Sequence, residues 1–393
     1  MTRPISDNPS QARSSGDHLS QALIHLDHLT HNVGLLRELI GDVSLWPAIK
    51  ANAYGHGAEI VARHLVDLGC ETLCVAHVSE AIALLDAGIG ARFVILSATL
   101  PEHAEAIVAT GCEPVLCTTG MAEALAEAAE KTGMTVAVHL MVDTGMGRIG
   151  IPTDEVCQFL DHCRALPRLR IKGLMSHFPR ADELDKVYSH AQLERFKSIV
   201  EATRDQGIEV RHIANSAGIF DIPGSYFDAV RPCIAIYGLR PSRQIANRRI
   251  GELRPVLEWK TRITFLKRVP AGTGLSYGHD FLTTRPSLIA TLPLGYGDGF
   301  SRRLSSNCDV LVRGVRCPQV GRITMDQCLI DVTDLEGRAV IGDEVMIIGC
   351  QGEEEITADE LADKLGTINY EISTAIAHRV PRIAVDITPE SRS

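Results

Sequence analysis

Polar side chains stand at five places where an apolar segment of this 393-residue chain gives way to a loop. They are Lys50 in WPAIKANAYGHG, Arg148 in VDTGMGRIG, His177 in GLMSHF, Asn215 with Ser216 in HIANSAG, and Arg231 in VRPCIAIYG. Lys50 follows a short apolar run (Val43, Leu45, Trp46, Ala48, Ile49) and precedes a small-residue turn. A lysine at the exit of a core strand loses hydration unless it is charge-paired or held neutral. One reading lays its aliphatic stem on apolar surface with the amine in water. The other makes it an amine that forms a Schiff base with an aldehyde cofactor.

The elements that must carry these residues follow from punctuation. Gly41, Gly69, Gly88, Gly111, Gly133 and Gly207 each separate a helical pattern from a strand pattern, where a helix C-cap glycine belongs. Phe93 to Leu96 and Val136 to Val142 are continuous apolar runs, as expected of parallel strands buried on both faces. Val61, Leu65 and Leu68 share one helix face, as do Leu193, Phe196 and Val200. Strands near residues 44, 72, 92, 114, 135, 170, 209 and 228 number eight, which closes a (β/α)8 barrel. An open doubly wound sheet is the weaker alternative, because no GxGxxG follows the first strand.

In such a barrel the active site lies at the C-terminal ends of the strands. Lys50 leaves the first, Arg148 follows the fifth, His177 ends the sixth, Asn215 and Ser216 end the seventh, and Arg231 precedes the core of the eighth. Singly each is more often structural; together they form a convergent polar ring. A phosphate is commonly bound after strands seven and eight, where Ser216 and the amides near Cys233 and Ile234 would receive it. Asn215-Ser216 reads equally well as a helix N-cap.

Beyond Gly251 the pattern changes to short strands, at Val256 to Phe265, Ser287 to Pro293, Asp309 to Val312, Gln327 to Val332 and Glu344 to Ile348. A helix over Ala358 to Leu365 follows, with Thr357 and Glu360 at capping-box spacing. The expected organisation is a polar tail over 1–20 and a barrel over 21–250. A β-rich C-terminal domain covers 251–393, with residues 21–27 free to pair with it.

A net charge of -10 argues against a nucleic-acid partner and favours a small molecule. Apolar residues make up 45%, yet no apolar run reaches the roughly 18 residues of a membrane span. The eleven cysteines form no CxxC pair and read as buried free thiols of a reducing cytoplasm. The Ser-rich first ~20 residues lack the apolar core of a signal peptide. No metal is called for.

PAIKANAYGHG, VDTGMGRIG, HIANSAG, RPCIAIYG, LSYGHDF, LGYGDGF, GRITMDQ and TINYEISTAIAHRVPR resemble, in this order, the motifs of alanine racemase, a fold-type III pyridoxal-phosphate family. The resemblance implies pyridoxal 5'-phosphate on Lys50, with Tyr54, Ser216, Cys233, Ile234 and His378 around the phosphate. Arg231 would face the pyridine nitrogen, and His177 and Asn215 complete the cofactor set. A guanidinium donates but does not readily accept, so the ring nitrogen would stay unprotonated and the ring a weaker electron sink.

Racemisation removes a proton from one face of Cα and returns one to the other, which two positioned acid-base groups achieve more readily than one. The resemblance gives these roles to Lys50 and to Tyr277, the latter reaching the barrel of a partner subunit in a homodimer with shared active sites. A phenol releases its proton near pH 10 in water, so as a base it needs nearby positive charge or hydrogen bonds, for which His177 and Arg231 offer a chain. Arg148 and the backbone at Met325 would hold the substrate carboxylate, and Tyr296 would narrow the entrance.

Four positions depart from the family pattern. Met141 stands where some members carry a carbamylated lysine, Cys233 replaces a common glycine, Thr324 a cysteine or serine, and His378 a tyrosine. The implied activity is a cytoplasmic isomerase interconverting L- and D-alanine for peptidoglycan. The alternatives are a serine or broad-specificity racemase, a decarboxylase of the same fold type, which would place an acid where Arg231 stands, and a non-catalytic cofactor carrier, which would lack the β-domain.

Overall fold

The computed structural model describes residues 19–386, so most of the expected N-terminal tail lies outside the described residues. Ser20 is already fixed: its hydroxyl lies 2.9 Å from that of Thr261 and donates to the carbonyl of Pro293. The chain forms two compact units, one of His25–Leu257 with the chain from Ala384, the other of the chain up to Ile24 with Glu258–Ile383.

In chain order the elements run β1 (Gln21–His25), α1 (Leu26–Ile40), β2 (Ser44–Leu45), α2 (Lys50–Tyr54), α3 (Ala58–Asp67), β3 (Thr72–Val75), α4 (Val78–Asp86), β4 (Arg92–Ile95), α5 (Ala104–Thr110) and β5 (Glu113–Leu116). Then come α6 (Thr119–Thr132), β6 (Val136–Asp143), β7 (Ile151–Pro152), α7 (Val156–Ala165), β8 (Leu169–Met175), α8 (Val187–Ala202), β9 (Val210–His212), α9 (Ser216–Asp221) and β10 (Ala229–Val230).

Parallel pairing links β3, β4, β5, β6, β8 and β9 in that order, and β10 pairs in parallel with β2. The ring is completed by backbone bonds outside the regular strands. Arg231 N–H donates to Ala214 O, Ile49 N–H to Cys74 O and Cys74 N–H to Pro47 O. Eight strands therefore close the barrel, at the places the apolar runs mark. β3 and β5 are buried at every residue, as a sheet enclosed on both faces requires. All six punctuating glycines have positive φ, from 64° to 81°. Arg231 corrects one expectation: it follows the eighth strand rather than preceding its core.

The second unit continues with β11 (Leu257–Arg262), β12 (Phe265–Val269), β13 (Gly274–Leu275), β14 (Phe281–Leu282), β15 (Ser287–Leu292), β16 (Asp309–Val312), β17 (Val315–Val320), β18 (Cys328–Asp331), β19 (Glu344–Gln351), β20 (Glu354–Ile356), α10 (Ala358–Leu365), α11 (Asn369–Thr374) and β21 (Arg382–Val385). The main sheet runs β12-β15-β18-β17-β16-β19-β11-β1-β21. The single strand expected over 256–265 is two, because the chain changes partner between them: Ile263 N–H bonds Asp343 O and Thr264 N–H bonds Thr291 O. β17 escapes its sequence pattern through Arg316, Pro318 and Gln319. Thr357 caps α10 by accepting from Glu360 N–H at 3.0 Å.

No cysteine is disulfide-bonded, but Cys157 and Cys350 are exposed and Cys117 and Cys233 half-buried, which corrects the uniformly buried expectation. Among the described residues no helix is long and apolar enough to cross a membrane.

Candidate active site

Lys50 opens α2, and the turn behind it is not the simple small-residue turn its composition suggests. Ala51, Asn52, Ala53 and Tyr54 all lie in the left-handed region, with φ between 52° and 54°. Each such non-glycine residue costs roughly 1–2 kcal/mol. Glu80 helps to offset this, since its Oε1 accepts from Ala51 N–H at 2.7 Å and its Oε2 from Ala76 N–H at 2.7 Å. Asn52 Oδ1 accepts from Ala58 N–H at 2.8 Å, tying the turn to the start of α3. Strain held this way clusters at functional sites. The Lys50 ammonium, half-buried, has no hydrogen bond or ion pair among the described residues.

Arg231 is nearly fully buried, at 2% exposure. Its Nη2 donates to Ser176 O at 2.7 Å and lies 3.4 Å from His177 Nδ1, and its Nη1 meets His212 Nδ1. Nε has no partner among the described residues. Burial lowers the Arg231 value to about 10. His177 is held well below its ordinary value by burial first, then by the charges of Arg231, Arg148 and Lys50, so these four groups share one electrostatic neighbourhood. A neutral His177 follows.

Arg148 rides on a loop built by Asp143, whose Oδ1 accepts from Gly145 N–H at 2.9 Å and Met146 N–H at 2.8 Å. The loop needs its glycines: a Cβ on Gly150, at φ 133°, would stand 2.6 Å from Asp143 N. The Arg148 guanidinium is exposed and makes no hydrogen bond or ion pair among the described residues. Met141 packs into an apolar cluster with Val115 and Met175.

Ser216 and the 233–235 segment are brought together. Ser216 Oγ accepts from Cys233 N–H at 2.8 Å and lies 3.3 Å from Cys233 Sγ. Ile234 N–H has no acceptor among the described residues. Asn215 is the N-cap of α9, its Oδ1 accepting from Gly218 N–H at 3.0 Å while its Nδ2 donates to Phe178 O. Tyr54 is buried, its ring centroid 5.2 Å from that of Tyr237.

In the β unit, Tyr296 and Met325 are neighbours: Tyr296 N–H donates to Thr324 O and Gly297 N–H to Met325 O. Arg379 braces them through Asp298 Oδ1 at 2.6 Å and Asp326 Oδ1 at 2.8 Å. Tyr277 and Thr324 line one surface depression. Ser276, at φ 60°, turns the chain into Tyr277 and donates its hydroxyl to Arg322 O at 2.6 Å. His378 is exposed beside Arg379.

Among the described residues the Lys50 amine, the Arg231 Nε–H and the Ile234 amide beside the Ser216 hydroxyl are without partners. That set suits an aldehyde bearing a phosphate and a basic ring nitrogen. Sequence reasoning missed four buried residues behind it: Glu113, His139, Lys172 and His212. Their signal is an ionisable side chain inside an otherwise apolar strand, as in VAVHLMVD.

Residues 24–241 match the family model described as the alanine racemase N-terminal domain, and residues 256–384 the one described as its C-terminal domain. The alanine racemase of Clostridium novyi is 41% identical over 93% of this chain and 95% of its own. The solved alanine racemase of Clostridium difficile 630 superposes with a TM-score of 0.90 at 36% identity, covering 94% of this chain and 96% of that one. That of Bartonella henselae, described with covalently bound pyridoxal phosphate, gives 0.83 at 28% identity over 94% and 100%.

Proposed function

Because the chain belongs to the alanine racemase family, we propose that it interconverts L- and D-alanine with pyridoxal 5'-phosphate held at Lys50. The observation that carries this reading is the Lys50 ammonium, without a hydrogen bond or ion pair among the described residues, in the same neighbourhood as Arg231, whose Nε–H is likewise unpartnered there. When bound, the cofactor supplies an electron-withdrawing ring that acidifies the substrate's Cα proton.

The protein's own residues do the rest. Lys50 takes or gives the proton on one face, and Tyr277 serves the other. Arg231 can only donate, so it would hold a ring nitrogen unprotonated and so moderate the ring's electron-withdrawing strength. Tyr54, Ser216, Cys233 and Ile234 would hold the phosphate, with His378 as the family pattern implies, while Asn215 fixes the turn that presents Ser216. Arg148 and the Met325 N–H bind the substrate carboxylate, and Tyr296 limits the width of the entrance. A free Arg148 suits that task without the lysine brace that Met141 replaces.

Tyr277 is 71% exposed, which suits a residue offered to a second copy of the chain. The working enzyme on this reading is a cytoplasmic homodimer with shared sites, supplying D-alanine for peptidoglycan. A coupled D-amino-acid oxidase assay on L-alanine tests the activity, and no D-alanine released would end the reading. Mixing Lys50→Ala and Tyr277→Phe subunits should restore part of the activity if the sites are shared; mixtures as inactive as their parents would refute sharing.

A further inference from the structure

Behind Arg231 a chain of buried ionisable groups crosses the barrel interior. His212 Nε2 lies 2.9 Å from His139 Nδ1, and His139 Nε2 lies 2.9 Å from Glu113 Oε2. Lys172 Nζ donates to Glu113 Oε1, closing the far end. The five residues come from five places in the ring: β5 (Glu113), β6 (His139), β8 (Lys172), β9 (His212) and the exit of β10 (Arg231). Trp46 covers two of them, its ring 5.7 Å from His139 and 5.0 Å from His212. His139 also occupies the space a side chain would need at residue 173, since a Cβ on Gly173 would stand 2.1 Å from its Nδ1.

The protons in this chain admit one arrangement. Burial would raise the Glu113 carboxyl, but the hydrogen bonds from His139 and Lys172 outweigh it and hold the value down to about 2. Glu113 is therefore ionised and can only accept. His139 must donate from Nε2, and burial keeps it neutral, so its Nδ1 accepts from His212 Nε2–H. His212, neutral through burial and the charges of Arg231 and Lys172, has only Nδ1 left, which accepts from Arg231. Every donor points from the guanidinium toward the carboxylate.

We propose that Glu113 is a positioning residue for Arg231, acting through the Nε2–H tautomers of His139 and His212 to aim the guanidinium and to balance its buried charge. The proton order follows from the hydrogen-bond geometry and from a guanidinium that can only donate, which the direction of the shifts supports; its effect on the cofactor rests on the reading that Arg231 faces the ring nitrogen. In water-free surroundings such a chain is stronger than its separate links. Without Glu113 the two cations Arg231 and Lys172 would share one interior with no anion between them.

The tautomers are read by 15N-histidine NMR on the full chain, before and after addition of pyridoxal phosphate. His139 and His212, assigned by single substitution, should show neutral Nε2–H signatures that do not titrate between about pH 6 and 9. Nδ1–H tautomers, or titration in that range, would overturn the proposal. Glu113→Gln should lower kcat about 10-fold with KM nearly unchanged and shift the cofactor's absorbance band and its pH midpoint. Glu113→Gln with Lys172→Met removes both charges and keeps a folded interior testable; it should retain the spectral shift. If Arg231→Lys moved the band while both Glu113 variants left it at the wild-type position, the proposed role of Glu113 would be wrong and the assignment of Arg231 would stand. A wild-type protein that bound no cofactor would instead defeat the functional reading, with the tautomers still deciding the proton order.

Discussion

The barrel unit and the β unit hold their candidate functional residues in opposite ways. In the barrel Arg231, Ser216 and Tyr54 are buried, and the groups around them are fixed by strand-end carbonyls, a strained left-handed turn and the Glu113 chain. In the β unit Tyr277, Tyr296 and Met325 are 71%, 43% and 54% exposed, presented by turns that salt bridges brace from behind. Burial allows charge to be aimed, because each unpaired polar group in a low-dielectric interior is costly and its position is therefore fixed. Exposure leaves residues cheap to alter and available to another surface. Changes at the buried barrel residues should thus alter cofactor binding or stability as well as turnover, whereas changes in the β unit should leave the cofactor in place, act on turnover or KM, and cost no more than about 1 kcal/mol of stability.

The sharpest test of the barrel side is Lys50→Ala. We expect activity to fall by at least about 10³-fold, together with loss of the lysine-bound cofactor absorbance. Retained absorbance would break the comparison. On the β side Tyr277→Phe should lower kcat by about 10²- to 10⁴-fold. Its absorbance should stay unchanged, and its stability should shift by no more than about 0.5 kcal/mol, as for an exposed side chain.

Acid should find the barrel first. Glu113 has a native value near 2 against an ordinary 4.5, so its ionised form contributes stability that is present above pH 4.5 and lost as pH falls toward 2, about 3 kcal/mol in all. His139, His177 and His212 have depressed native values, so their contribution is present above about pH 6.5 and declines as pH falls below it. Urea unfolding across that pH range measures both, and a stability flat from pH 7 to 3 would contradict the buried chain.

Gly150→Ala should raise KM for alanine about 10-fold by displacing the Arg148 loop while the absorbance band stays in place. The smallest effect is expected from Arg379→Ala, which loosens the brace behind Tyr296 and Met325. A loss of about 1 kcal/mol in stability and a two- to threefold rise in KM, read by thermal melting and steady-state kinetics, would fit a half-exposed ion pair to a buried aspartate.

Eight barrel strands were legible because parallel strands enclosed on both faces are forced to be apolar, and their helices to end on residues that tolerate positive φ. β17 and the split of β11 from β12 were not, since an antiparallel strand with one wet face carries polar residues and a change of partner leaves no mark on composition. The site divides in the same manner. Lys50, Arg148, Ser216 and Arg231 could be picked out by their place at the ends of apolar runs.

The sequence by itself determined which side chains are available and that they leave one end of a closed barrel, because spacing and hydrophobic pattern are local properties of the chain. Only the tertiary structure decided that Asn215 caps a helix, that Lys50 stands before a left-handed turn, and that Glu113 lies in hydrogen-bonded line with Arg231. Those contacts join residues as far apart as Glu113 and His139, or His212 and His139, which meet only when strands pair in register across a closed ring.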